Sequence, residues 1–197
     1  MAIERDLRIV HPTPRESKVL VPSEVLGTLI FVLTEAMMFA GFVSAHTIAK
    51  ASVPVWPPMG QPRLPIEATA ANTMLLLASG VFAWWAGRRF DRHGPRAARV
   101  PLWTAVVLGV GFVTFQGVEW VQLLGEGLTL SSSLQGAFFY LIVGMHAVHA
   151  VGGATVLSVM AVQMQRGTLT SDMFWAGRIF WTFVVLLWPV LYWQVYL

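Results

Sequence analysis
The chain has 197 residues, 56% of them hydrophobic and 12% charged, with mean hydropathy +0.64. A soluble domain carries about 25% charged residues, so this composition excludes that class and points to an integral membrane protein. With no cysteine, disulfides, thiolate metal sites, covalent c-type haem and S-acylation are excluded too.

Residues 1–24 read as a polar arm with Arg5, Arg8, Arg15 and Lys18, made irregular by Pro12, Pro14 and Pro22. The arm has no apolar core, so it is not expected to act as a signal peptide. Ser23 is placed to cap the first span. That span, about 25–49, holds Glu35 near its middle and His46 near its far end. The connection Lys50 to Pro65 contains five prolines and cannot be helical throughout. Its Trp56 suits the headgroup level, where an aromatic ring meets both apolar and polar surroundings. Span two, about 67–87, carries Asn72, Thr73 and Ser79 along one side, suited to interhelical hydrogen bonds of ~0.6 kcal/mol each.

Arg88, Arg89, Arg92, Arg96 and Arg99 form a polybasic second connection, of the kind that stays cytoplasmic and meets anionic headgroups. Span three is expected from Pro101, in its first turn, to 124, with Gln116, Glu119 and Trp120 in its last third. Ser132 and Gln135 have capping-box spacing before span four, about 134–163. Ser171 or Asp172 then caps span five, about 173–196, in which Pro189 should produce a bend. Eleven Lys and Arg fall on the side of the arm, the second connection and the turn into span five (Arg166, Arg178), against Lys50 and Arg63 opposite. The pattern predicts an all-α bundle of five transmembrane helices, N-terminus cytoplasmic and C-terminus outside. It also accounts for the pI near 9.8 without a nucleic-acid partner.

Gly127 to Gln165 contains no Lys, Arg, Asp or Glu. Within it His146 and His149, three apart, share one helical face, and Gly144, Gly152 and Gly153 suit close helix approach. A carboxyl at the depth of Glu35 costs ~2.5–3.5 kcal/mol unless it is neutral, paired or hydrated. It reads equally as a proton-handling site or as a packing hydrogen bond. The histidines could ligate a metal or haem, but rings three apart on one helix point the same way. Polar packing, through bonds to Glu35 or to backbone, is the preferred reading. Gln116, Glu119 and Trp120 read as a polar cluster facing an adjacent subunit or as an interfacial anchor, the anchor being the preferred use of Trp120. No phosphate loop, Ser-His-Asp set or zinc motif appears. No catalytic residue, metal or cofactor is assigned to the chain.

Four segments together resemble one family: LTEAMMFAGF (Leu33–Phe42), WPPMGQPRLPIEATAANTMLLLASG (Trp56–Gly80), GFVTFQGVEW (Gly111–Trp120) and GAFFYLIVGMHAVHAVGGATVL (Gly136–Leu157). The last is similar to the FF…TG-x-H-G-x-H-V…GG segment of subunit III of the haem–copper respiratory oxidases. The chain resembles the bacterial five-helix form of that subunit over about residues 22–197. The resemblance implies a non-redox subunit of the bacterial cytoplasmic membrane that packs on catalytic subunit I, in a complex with subunit II. It implies bound phospholipids, support of proton uptake, and haem and copper only in the partner subunits. It matches Glu35 to the family's membrane-embedded glutamate, for which His149 is the expected partner. Thr182 and Val185 depart from the family's W-H-F-V-D-x-x-W pattern. The partner could therefore be a cytochrome c oxidase, a quinol oxidase or a nitric-oxide-reductase-type complex. Two readings from other classes are a proton-coupled transporter using Glu35 and a small redox protein using His146 and His149.

Overall fold
The structure, a computed structural model, describes residues 21–197. Arg5, Arg8, Arg15 and Lys18 of the polar arm, with Pro12 and Pro14, lie outside the described residues. Five helices follow: α1 (Ser23–Ala51), α2 (Ile66–His93), α3 (Pro95–Gly125), α4 (Leu134–Arg166) and α5 (Ser171–Tyr196). Each is long and apolar enough to cross a membrane, and the chain is a multi-pass membrane protein.

The helix ends correct several expectations. The second connection is not a loop. α2 runs on through Arg88, Arg89 and Arg92, and only Gly94, at φ 79°, separates it from Pro95 at the start of α3. Arginine is a good helix former, so the helix outlasts its apolar part, and glycine takes the left-handed turn without penalty. Pro101 accordingly lies inside α3 and is buried, rather than opening it. Arg178 is not in a turn either. It sits within α5, its guanidinium 4.5 Å from the Trp175 ring and lying where a Cβ on Gly87 would be.

The caps shift by single residues. Pro22, not Ser23, precedes α1, and its carbonyl already accepts from Leu26 N at 3.0 Å. Ser133, not Ser132, caps α4, accepting from Gly136 N at 3.0 Å. Ser132 is held in the preceding turn, where it accepts from Thr129 N at 3.0 Å, so the expected capping box does not form. Thr170 caps α5. Asp172 falls in the first turn, where its charge complements the helix dipole. α5 continues through Pro189 to Tyr196.

α2 packs on α3, α3 on α4, α4 on α5 and α5 on α2, closing a ring. α1 stands outside it, against α5 and, less extensively, α4. Trp181 and Trp188, seven residues apart on α5, are fully buried in the ring. Such separation puts both on one helical face. Trp181 Nε1 donates to Ser79 Oγ at 3.1 Å, and Ser79 donates to Ala105 O at 2.7 Å, joining α5 to α2 and α2 to α3. Trp188 Nε1 donates to Thr73 Oγ1 at 2.8 Å. Asn72 adds a bond to Phe112 O at 3.2 Å. Ser79, Thr73 and the Asn72 amide N–H on the polar side of α2 thus find partners on neighbouring helices, as a medium without water favours.

Candidate functional site
The seam between α1 and α4 holds the first polar pair. Glu35 lies between Phe31 and Phe39, one helical turn to either side. His149 Nε2 stands 3.0 Å from Glu35 Oε2. Phe31 stacks on the imidazole with centroids 6.4 Å apart, and Phe39 meets it edge-on at 5.5 Å. His149 Nδ1 is 2.8 Å from Met145 O. A carbonyl only accepts, so Nδ1 carries a proton. The contact at Nε2 then has two forms: imidazolium with carboxylate, or imidazole accepting from a protonated carboxyl. Both are neutral overall, so the pair can pass a proton across its own hydrogen bond without placing net charge in the membrane interior. Among the described residues it is the one acid–base side-chain contact within 4.0 Å.

The second pair lies inside the ring. Glu119 is buried at 7% exposure rather than turned toward a neighbouring subunit, which corrects that expectation. Thr69 Oγ1 lies 3.0 Å from Glu119 Oε2, and Gln116 Nε2 donates to the same oxygen at 2.9 Å. The other Gln116 N–H goes to Tyr196 Oη at 3.3 Å. Thr69 Oγ1 is also 2.9 Å from Pro65 O. A hydroxyl has one proton, so either it goes to Glu119 or Glu119 is itself protonated and donates to Thr69. One carboxyl thereby ties α2 to α3 and, through Gln116, to α5.

His146 and His149 do not face one partner. His149 points to α1. His146, 1% exposed, stacks on Trp188 at 4.8 Å and meets Phe112 edge-on at 6.3 Å. It bonds neither Glu35 nor backbone. Trp120 lies against Phe139 and Tyr140, with its indole nitrogen buried. It packs between α3 and α4. The glycines divide. A Cβ on Gly153 would come 2.7 Å from the Trp181 ring, and one on Gly144 would meet Trp120 at 3.5 Å. One on Gly152 would meet nothing within 4 Å, so its face is turned away from the other helices of the chain. Trp56 meets His46 edge-on at 5.4 Å, beside Phe138. Among the described residues no group of three or more His, Cys, Asp or Glu is placed to hold a metal ion. Of the two departures, Thr182 is exposed, while Val185 is buried with its methyls where a Cβ on Gly80 would come at 2.7 Å.

Sequence reasoning missed Thr69 and Tyr196. Thr69 carries a signal, since Thr69, Asn72 and Thr73 repeat at helical spacing on one face. Tyr196 carries none, because only the packing of α5 brings it to Gln116. His46, 2% exposed, is held edge-on by Trp56 and Phe138.

Residues 17–197 match the family model described as "Cytochrome c oxidase subunit III". The cytochrome c oxidase subunit 3 of Oryctolagus cuniculus is 31% identical over 179 residues, covering 86% of this chain and 67% of the relative. That of Coturnix japonica is 29% identical over 195 residues, covering 94% and 72%. That of Felis catus is 31% identical over 179 residues, covering 86% and 67%.

Proposed function
The chain belongs to the cytochrome c oxidase subunit III family, and on that premise we propose that it is the non-redox accessory subunit of a terminal respiratory haem–copper oxidase. Its association with an oxidase complex follows from the family. The finer reading is that it packs on catalytic subunit I, beside subunit II, in a bacterial cytoplasmic membrane with its N-terminus inside. There it holds phospholipids, supports proton uptake and prolongs the working life of the complex. Haem and copper reside in the partner subunits.

The observation that carries this reading is the Glu35–His149 pair, 3.0 Å apart in the seam between α1 and α4. A carboxyl and an imidazole can hold or shift a proton, which fits a subunit linked to proton movement. The cation–π pairs of Arg88 over Trp84 (4.2 Å) and Arg89 over Trp85 (5.1 Å) support the assignment of their end of α2 to a headgroup region.

The test is affinity purification of the tagged chain from its native membranes in mild detergent, with a reduced-minus-oxidised spectrum and peptide identification. Haem bound to a large co-purifying multi-span subunit is the expected result. A colourless chain recovered alone would favour the transporter reading. Haem bound stoichiometrically to this chain alone would favour the redox-protein reading.

A further inference from the structure
A cavity of about 130 Å3 lies between α3, α4 and α5, lined by Phe112, Gln116, Trp120, His146 and Trp188 among others. Three of those residues carry buried polar atoms that have no partner among the described residues: Gln116 Oε1, Trp120 Nε1 and both ring nitrogens of His146. Gln116 is 4% and His146 1% exposed. Stacking on Trp188 does not satisfy the imidazole, because its nitrogens bond in the ring plane and not through the ring face. A buried polar group without a partner loses about 1–3 kcal/mol, so each such group calls for a partner such as bound water.

We propose that this cavity is a hydration site, in which a small cluster of water molecules is bound by His146, Gln116 and Trp120. The chemistry of the four atoms balances for water. Gln116 Oε1 only accepts and Trp120 Nε1 only donates, while a neutral His146 supplies one donor and one acceptor. Water offers two hydrogens and two lone pairs and needs two to four polar partners to remain buried. The volume suffices, since one water occupies about 30 Å3 of liquid. A purely apolar molecule would fill the space and leave all four atoms unsatisfied.

The consequence is a continuous polar path inside the bundle. Gln116 already donates to Glu119 at 2.9 Å and to Tyr196 at 3.3 Å. Water on its carbonyl side extends that network to His146, on the helix that also carries His149. Glu119 then belongs to a hydrated chain and not to an isolated pair. The inference rests on the cavity alone and does not require the oxidase reading.

The deciding experiment is a density map of the protein, purified in whatever complex its native membrane yields, at a resolution that shows ordered water. Peaks within about 2.7–3.2 Å of Gln116 Oε1 and of Trp120 Nε1 or a His146 nitrogen are expected. An acyl chain, a partner's side chain or no density in the cavity overturns the proposal. A pair of variants reads the same point in solution. If water is bound, His146→Gln, which keeps a donor and an acceptor, retains a thermal midpoint closer to the parent than His146→Leu. In a dry cavity the order reverses, because leucine removes an unsatisfied polar group.

Discussion
α1 and the ring formed by α2 to α5 each hold a carboxyl, and they hold it differently. Glu35 on α1 has one side-chain partner, His149, and its side chain is 18% exposed at the seam. Glu119 in the ring has Thr69 and Gln116, with Tyr196 one bond further on. The ring is also laced by the Trp181–Ser79–Ala105 and Trp188–Thr73 bonds. α1 has one further side-chain tie, Gln194 Nε2 donating to Thr47 Oγ1 at 2.7 Å from α5, and no side-chain bond joins it to α2 or α3 among the described residues. Its outer face leaves Leu26, Ile30, Leu33 and Met37 uncovered, at 49% to 69% exposure. The lesson is a division of labour: the ring carries the rigidity of the fold, and α1 is an appended helix whose outer surface is left for lipid or a partner.

The largest expected difference tests that division directly. Trp181→Ala empties the centre of the ring and removes the donor to Ser79 Oγ, so it should cost about 3–5 kcal/mol. Leu33→Ala, at a side chain 63% exposed on α1, should change the stability of the detergent-solubilised chain by less than about 0.5 kcal/mol. Thermal or denaturant melts of the two variants measure both. Comparable losses would mean that α1 is as integral as the ring. In the assembled complex, a larger Leu33→Ala effect would locate a partner on that face.

Two adjacent glycines offer a finer test. A Cβ on Gly153 would come 2.7 Å from Trp181, so Gly153→Ala should cost about 1–3 kcal/mol through overpacking. Gly152→Ala meets nothing within 4 Å in the chain and should be neutral, or stabilising by up to about 1 kcal/mol from helix propensity. Equal effects from neighbouring positions would contradict the ring geometry. Loss at Gly152 seen only in the complex would mark a helix from another subunit.

These contrasts also mark what the sequence could disclose. Five helices were legible because a bilayer demands about 20 apolar residues per span, and that demand is written in composition. The helix ends were not. Arg88, Arg89 and Arg92 continue α2 as readily as they would form a loop, and hydropathy reports the apolar part of a helix, not its end. Cap choice between Ser132 and Ser133 turns on which backbone N–H lies in reach, which a one-residue shift decides. The polar residues were easy to find, since ionisable groups are scarce at that depth. Their partners were harder. Thr69 lies 50 positions from Glu119, and Tyr196 lies 80 from Gln116. Nothing in local pattern says which side of α3 faces the ring, so Glu119 was placed toward a neighbour when it faces inward.

The smallest effects compare the two carboxyls themselves. Glu119→Leu leaves one Gln116 N–H without its acceptor in a buried site, while Thr69 keeps Pro65 O, and should cost about 1–3 kcal/mol. Glu119→Gln keeps an acceptor and should cost less. At the seam, a cycle of Glu35→Leu, His149→Leu and the double variant isolates a single interhelical bond. Such bonds average ~0.6 kcal/mol in membranes and reach ~1.7, so the coupling should fall in that range, below the loss at Glu119. Glu35→Gln should retain most of it, because its amide can donate to Nε2 while Nδ1 stays on Met145 O. A coupling above the Glu119 loss would make α1 a locked part of the ring after all. A coupling near zero, with Glu35→Gln and Glu35→Leu alike, would leave the aromatic contacts of Phe31 and Phe39 as what holds His149, and would remove the proton from any account of this seam.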